Sequence, residues 1–307
     1  MSKLGLILSC IVLPLAMIGG SAKTSAQTPT SASTQNCSPA SCHPALWVLK
    51  GPHATVYLFG SVHLLGKDRE WRTPVLNAAL ASSQTLWLEV TGADDPRAAQ
   101  PIIMELGIDA SHPLSTKLSK DQLAKLDSEA KTFHMSEAMM EPMRPWLAAV
   151  TLDVAPLQQA GVDPGNGVES ILTAEFKKSN RPVQGFETVS QQFHFFADLP
   201  AKTEVDYLNL SINDFAKERE QFKQLLEAWY KGDQNELDRL VNEEWRQEHP
   251  ETYDVLIARR NLYFAQRIEE LVKGEGTSFV AIGAGHCVGA DGVIALLGKD
   301  GLQAQKL

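Results

Sequence analysis

The stretch Val56-Tyr57-Leu58-Phe59-Gly60-Ser61-Val62-His63-Leu64-Leu65 decides the fold. Its first four residues form a short apolar run, the pattern of a strand buried on both faces. Gly60 breaks the run, and His63 follows three places on in a turn. The phrase returns near the other end of the chain, where Ser278 to Val288 reads SFVAIGAGHCV, with Gly283 and His286 in the same places. A buried strand that ends beside a histidine sets the imidazole at the carboxyl edge of a sheet, where α/β proteins hold their ligands. One such histidine is ordinarily a packed or solvated residue. Its repetition after a second strand and glycine makes His63 and His286 candidate functional residues.

Working outward, Thr85 to Val90 (TLWLEV) and Pro182 to Glu187 (PVQGFE) read as two more strands, each with a carboxylate at or near its end, Glu89 and Glu187. The order is GxxH strand, Glu strand, helices, Glu strand, helices, GxxH strand. This near-palindrome predicts an α/β fold whose central mixed sheet comes from two pseudo-related halves, with a large helical insertion. Each half offers one His and one Glu. Ahead of the first GxxH, Ala45–Leu49 and Val56–Phe59 flank Gly51-Pro52-His53 and predict a hairpin with His53 solvated in its turn. Thr73-Pro74 is an N-cap with an N1 proline for a helix over Val75–Ser82. Ser119 with Gln122, and Thr188 with Gln191, have capping-box spacing. Residues 96–159 and 166–178 read as helical. So does 202–273, with charges on one face and Phe222, Trp229, Tyr230 and Trp245 on the other, predicting a helical subdomain with an aromatic core stripe.

Composition bounds the partners. Of 307 residues, 44% are hydrophobic and 21% charged, as in an ordinary globular protein. Lys3, the apolar run Leu4–Ile18 and the small residues around Ala22 and Ala26 read as a signal peptide over 1–26, cleaved near one of those alanines. That predicts a periplasmic or secreted protein with no stable membrane span after cleavage. Residues 27–44 read as a flexible leader and 45–307 as the folded domain. Removing Lys3 and Lys23 with no acids takes the net charge from −9 to −11, which argues against nucleic acid as a partner. Cys10 leaves with the signal peptide. Cys37 and Cys42 bracket four residues and predict a small disulfide loop in an oxidising compartment. Cys287 reads as a buried structural thiol.

Two imidazoles with one or two carboxylates make a common ligand set for a divalent metal such as manganese, cobalt or zinc. His63, His286, Glu89 and Glu187 are therefore the candidate metal ligands. With an open coordination position such a metal acidifies its water, and a glutamate left off the metal can move the proton. Glu89, nearer the first GxxH, ranks ahead of Glu187 for that role. This chemistry suits hydrolysis of an amide or ester. There is no HExxH, no GxSxG frame around Ser61 and no phosphate-binding glycine loop. His112, His134, His194 and His249 are scattered and read as solvated or packed.

Taken in order, YLFGSVHLL, LWLEV, PVQGFET, ARRN and IGAGHCVGADGVIALL resemble the TraB/GumN family, itself related to the Tiki membrane-tethered proteases. The resemblance spans roughly residues 45–307. It implies a fold similar to the erythromycin-esterase and ChaN-like proteins. It also implies a metal-dependent hydrolase of peptidase type, acting on a peptide or small molecule through His63, Glu89, Glu187 and His286. Arg260 and Asn261 match the family's Arg-Asn pair, which implies a catalytic role holding a carboxylate or a substrate carbonyl; a helix-packing role is the other reading. Gly167-Val168-Glu169 has Glu where relatives often carry Asp, so no role is carried over to Glu169. The ChaN-like relationship also admits a haem- or metal-complex-binding protein without turnover, its histidines acting as axial ligands. A third reading is an accessory role in an envelope assembly, with the acidic helices of 202–273 as partner surface.

Overall fold

A computed structural model describes residues 43–66, 70–92, 96–159 and 164–307. The proposed signal peptide, the leader up to residue 42 and the Cys37–Cys42 pair lie outside the described residues. The hairpin forms as its turn predicts: β1 (Leu46–Lys50) runs antiparallel to β2 (Ala54–Ser61), and the Gly51 N–H donates to the Ala54 carbonyl at 2.9 Å. The strands β3 (Thr85–Val90), β4 (Val183–Glu187), β5 (Gly276–Gly283) and β6 (Gln305–Lys306) complete one six-stranded sheet in the order β4-β3-β5-β2-β1-β6. β2, β3, β4 and β5 are mutually parallel, and β1 and β6 supply the antiparallel edge, so the sheet is mixed.

The two GxxH strands are neighbours, with Gly60 opposite Ile282 and Ser61 opposite Gly283. The two Glu strands are neighbours as well, with Val90 opposite Glu187. All four carboxyl ends therefore open along one edge. β5 is the last of the four in the chain, yet it lies between the first two.

The helices start where their caps direct. Thr73 accepts from the Leu76 N–H ahead of Pro74–Ser82, and both capping boxes form, ahead of Lys120–Thr132 and Val189–Ala197. Two hydrophobic cores result. One covers the sheet, where Phe59, Phe279, Val280 and Ile282 meet Phe176, Phe222, Trp229, Phe264 and Ile268 from helices. The other is helical and gathers Trp146, Phe193, Phe196, Tyr207, Trp245 and Leu256. The helices of 202–273 divide between these cores: Phe222 and Trp229 face the sheet, Trp245 the helical body. Two five-residue π-helical segments, Arg239–Glu243 and Asp254–Ala258, interrupt this region. Such widened turns recur at functional sites. Among the described residues, no helix is long and apolar enough to cross a membrane.

Gly60 lies where the two GxxH segments pass close to one another. A Cβ there would lie 3.2 Å from the Ala284 Cα and 3.7 Å from the Cys287 Sγ, while the Gly60 carbonyl accepts from the Trp229 indole at 2.6 Å. Gly60→Val is expected to destabilise the fold by about 1–3 kcal/mol, the usual cost of overpacking, measured by chemical denaturation. An unchanged midpoint would show that the two segments can separate at no cost.

Candidate functional site

Each strand end delivers one side chain, and two helices deliver the rest. Glu89 sits one residue before the end of β3 and Glu187 ends β4. His63 follows β2 by two residues, and His286 lies in the short helix Ala284–Cys287 directly after β5. Arg260 and Asn261 open the helix Arg259–Lys273, just past the second π segment. Arg260 shares that helix's inward face with Phe264, Ile268 and Val272, four residues apart. Glu169 is in the first turn of Val168–Lys178, and the Val168 N–H donates to the Val62 carbonyl at 3.1 Å, tying that helix to the His63 turn. All seven side chains are buried; Glu169, at 8% exposed, is the most open.

Arg260 is the hub. Its Nε and Nη2 form a fork onto Glu187 (2.7 Å to Oε1, 2.8 Å to Oε2), and Nη2 also donates to Glu89 Oε2 at 2.6 Å. Its Nη1 lies 3.2 Å from His286 Nε2 and donates to the Leu256 carbonyl. Glu89 Oε1 accepts from the Gly283 N–H at 2.6 Å, so the second GxxH glycine contributes its backbone to the first half's carboxylate. Glu187 Oε2 also accepts from the Gln192 amide. Burial holds the Glu89 carboxyl above the ordinary carboxylate range, although Arg260 and His63 pull it down.

The two imidazoles are set differently. Asn261 donates through Nδ2 to the Asp291 carbonyl (2.9 Å), which turns its Oδ1 towards His286 Nδ1 at 2.6 Å. His286 therefore carries its proton on Nδ1, and its Nε2 lone pair accepts from Arg260. His63 Nδ1 lies 3.0 Å from Glu169 Oε1 without hydrogen-bond alignment. Neither of its ring nitrogens has a hydrogen-bond partner among the described residues. Ser61 Oγ donates to the same Glu169 oxygen. Burial would depress the His63 pKa, yet the Glu169 carboxylate raises it above the ordinary value. Burial would likewise raise Glu169, but the charge of His63 holds it below its ordinary value. The two shifts agree on an ion pair.

The structure thus brings His63, Glu89, Glu187, Arg260, Asn261 and His286 to one centre and adds Glu169. Each imidazole has an oxygen at Nδ1, the arrangement that orients a metal-binding histidine, but His286 Nε2 already faces Arg260 at 3.2 Å. The glutamates fit less simply, because Arg260 and a backbone N–H already occupy them. Among the described residues, no three His, Cys, Asp or Glu side chains converge as a ready coordination shell. Cys287, buried beside His286, is a free thiol pushed well above its ordinary pKa by burial. His112 and His194 are surface residues beside Asp109 and Asp198, away from the centre.

A search of family models matches the TraB/PrgY/gumN family over residues 45–306. The chain belongs to that family. It is similar to an uncharacterized protein of Treponema pallidum (strain Nichols), with 22% identity over 273 residues, 82% of this chain and 80% of that protein. No solved structure matches it.

The ion pair fixes a pH dependence. His63 has a folded pKa above 6.5, so its contribution to stability is complete below the unfolded value and is lost as pH rises through the folded one. In chelator-treated protein, the melting temperature is expected to fall across that window, and Glu169→Gln to flatten the fall. An equal slope in wild type and variant would refute the pairing.

Proposed function

We propose that this chain is an exported metal-dependent hydrolase of peptidase type, acting on a peptide or a small amide or ester. The observation that carries this reading is His63, a buried imidazole whose ring nitrogens have no hydrogen-bond partner among the described residues, with the Glu169 carboxylate 3.0 Å from Nδ1. In its neutral form, with the Nδ1 proton facing Glu169, it leaves a buried Nε2 lone pair that is costly to keep unsatisfied and that a cation or a reacting group would use. His63 and His286 would hold the metal, with Glu169 and Asn261 orienting their rings. Bound there, a manganese, cobalt or zinc ion would supply an acidified water. The chain's own part is to move the proton and to stabilise charge. Glu89, whose carboxyl burial holds above the ordinary carboxylate range, is suited to take a proton. Glu187 is locked to Arg260 by two hydrogen bonds and is suited to hold that guanidinium in place. Export rests on the signal-like N-terminus.

A second reading is favoured by the Arg260 contacts. A cation already bridges Glu89 and Glu187, so the same centre supports metal-free hydrolysis with His63 as base, oriented by Glu169, and Arg260 as the group that receives developing negative charge. The haem-binding alternative meets the same obstacle at His286 as the metal reading, since Nε2 is engaged by Arg260 and must be released before it can bind.

Metal analysis and titration with manganese, cobalt and zinc separate these readings. The expected result is stoichiometric binding that is lost in His63→Ala and in His286→Ala. Glu89→Gln should keep the metal while turnover on a peptide or ester substrate falls roughly a hundredfold. A protein that binds none of the three ions and keeps its turnover in chelator would overturn the metal reading in favour of the second. A stoichiometric Soret shift with haem, lost in His63→Ala and without hydrolysis, would overturn both.

A further inference from the structure

The hydrogen bond that sets the His286 tautomer does not end at Asn261. The Asp291 residue whose carbonyl holds Asn261 is itself pinned through its carboxylate. Arg246 Nη2 reaches Asp291 Oδ1 at 3.2 Å, and the Tyr253 hydroxyl donates to Oδ2 at 2.9 Å. Arg246 Nη2 also donates to Asp238 Oδ1 at 2.9 Å. Asp238 accepts from Asn242 Nδ2 at 3.0 Å, and the same Asn242 amide donates to the Gly285 carbonyl at 3.0 Å. Gly285 precedes His286 in the chain. The contacts therefore close a ring: His286, Asn261, Asp291, Arg246, Asp238, Asn242, Gly285 and back to His286.

Two further features belong to this ring. Asn242 lies in the first π segment, Tyr253 directly precedes the second, and Asn261 follows it closely. The widened turns thus fall where the helices must present polar side chains inward. Gly289, with φ +87°, passes so close to the ring that a Cβ there would lie 2.4 Å from Asp238 Oδ1 and 2.9 Å from Arg246 Nη2. Only glycine fits both that conformation and that space.

We propose that Arg246 is a positioning residue for the candidate site, holding His286 in its Nδ1–H tautomer through Asp291 and Asn261. One arm of the ring grips the imidazole through Asn261, and the other grips the backbone just before it through Asn242. Arg246 joins the two arms, because one guanidinium nitrogen serves both Asp238 and Asp291. The outer arc reaches solvent, with Arg246, Asp238 and Asp291 side chains 34%, 25% and 35% exposed. The inner arc is sealed, with Asn242, Asn261 and His286 fully buried. A change at the protein surface is thereby coupled to which nitrogen of a buried imidazole presents its lone pair to Arg260. The role rests on reading His286 as a working imidazole, but its readout is a tautomer and not turnover, so the two can fail separately.

The test is long-range proton–nitrogen NMR on full-length, chelator-treated protein labelled with 15N-histidine, with the His286 signals identified by their loss in His286→Ala. Wild type is expected to show the single Nδ1–H pattern. Arg246→Ala should give a two-tautomer mixture or the Nε2–H form. Arg246→Lys, which keeps a charge beside Asp291, should largely restore the wild-type pattern. Arg239→Ala removes an exposed arginine of the first π segment that pairs only with Glu236 in the described contacts, and it should change nothing. An unaltered tautomer in Arg246→Ala, or an equal disturbance in Arg239→Ala, overturns the proposal. Should Arg246→Ala fail to fold, Asp291→Asn is read in the same way. If neither variant folds, the ring serves the fold and not the orientation of the imidazole, which also overturns it.

Discussion

Arg260 carries its charge into a centre where two carboxylates meet with almost no solvent, and the remaining architecture follows from that contact. Glu89 and Glu187 come from adjacent parallel strands, and Arg260 donates to both carboxylates. Without a cation between them, like charges in a poorly polarisable interior could not both persist. The guanidinium's fixed fork suits this role where a lysine's point charge would not. The rings of Phe195 and Phe264 each lie 5.3 Å from its centre and keep water away. Removing one partner of such a buried pair commonly costs about 3–5 kcal/mol, so the cluster is part of the fold as much as of the site.

The two histidines that frame this charge are not equivalent. His286 is satisfied on both nitrogens, by Asn261 and by Arg260. His63 has a carboxylate beside it but no aligned hydrogen bond. An approaching group therefore meets one imidazole paired only with a carboxylate and another whose lone pair must first be released by Arg260. Two copies of one sequence phrase have been given different surroundings, and it is the surroundings that divide the work.

The parts legible in the sequence were those written in local chemistry. The Gly51 hairpin, the Thr73 cap and the two capping boxes each depend on residues within four or five positions, and each formed. Both GxxH phrases and both strand-end glutamates could be found by pattern, while Arg260 and Asn261 were reached through the family resemblance of ARRN. Glu169 was harder to see, because an acid in the first turn of a helix is ordinarily explained by the helix dipole. Its role depends on Val168 meeting Val62, a contact between distant parts of the chain. The aromatic stripe of 202–273 likewise gave no sign that Trp229 and Trp245 would enter different cores. Strand order was out of reach for the same reason, since nothing near β5 in the chain says which strands will flank it.

That order has a consequence for how the protein comes into being. β5 forms only after more than two hundred residues have been made, and it must enter between β2 and β3, which precede the long helical segments. Until it does so, β2 and β3 have no shared neighbour, Glu89 has no Gly283 N–H to accept from, and neither histidine faces its counterpart. Long-range parallel pairing of this kind is slow because distant segments must meet before any contact rewards them. The buried charged centre is consequently completed only once β5 has entered the sheet. A nascent or partly folded chain carries these glutamates and histidines as separate side chains.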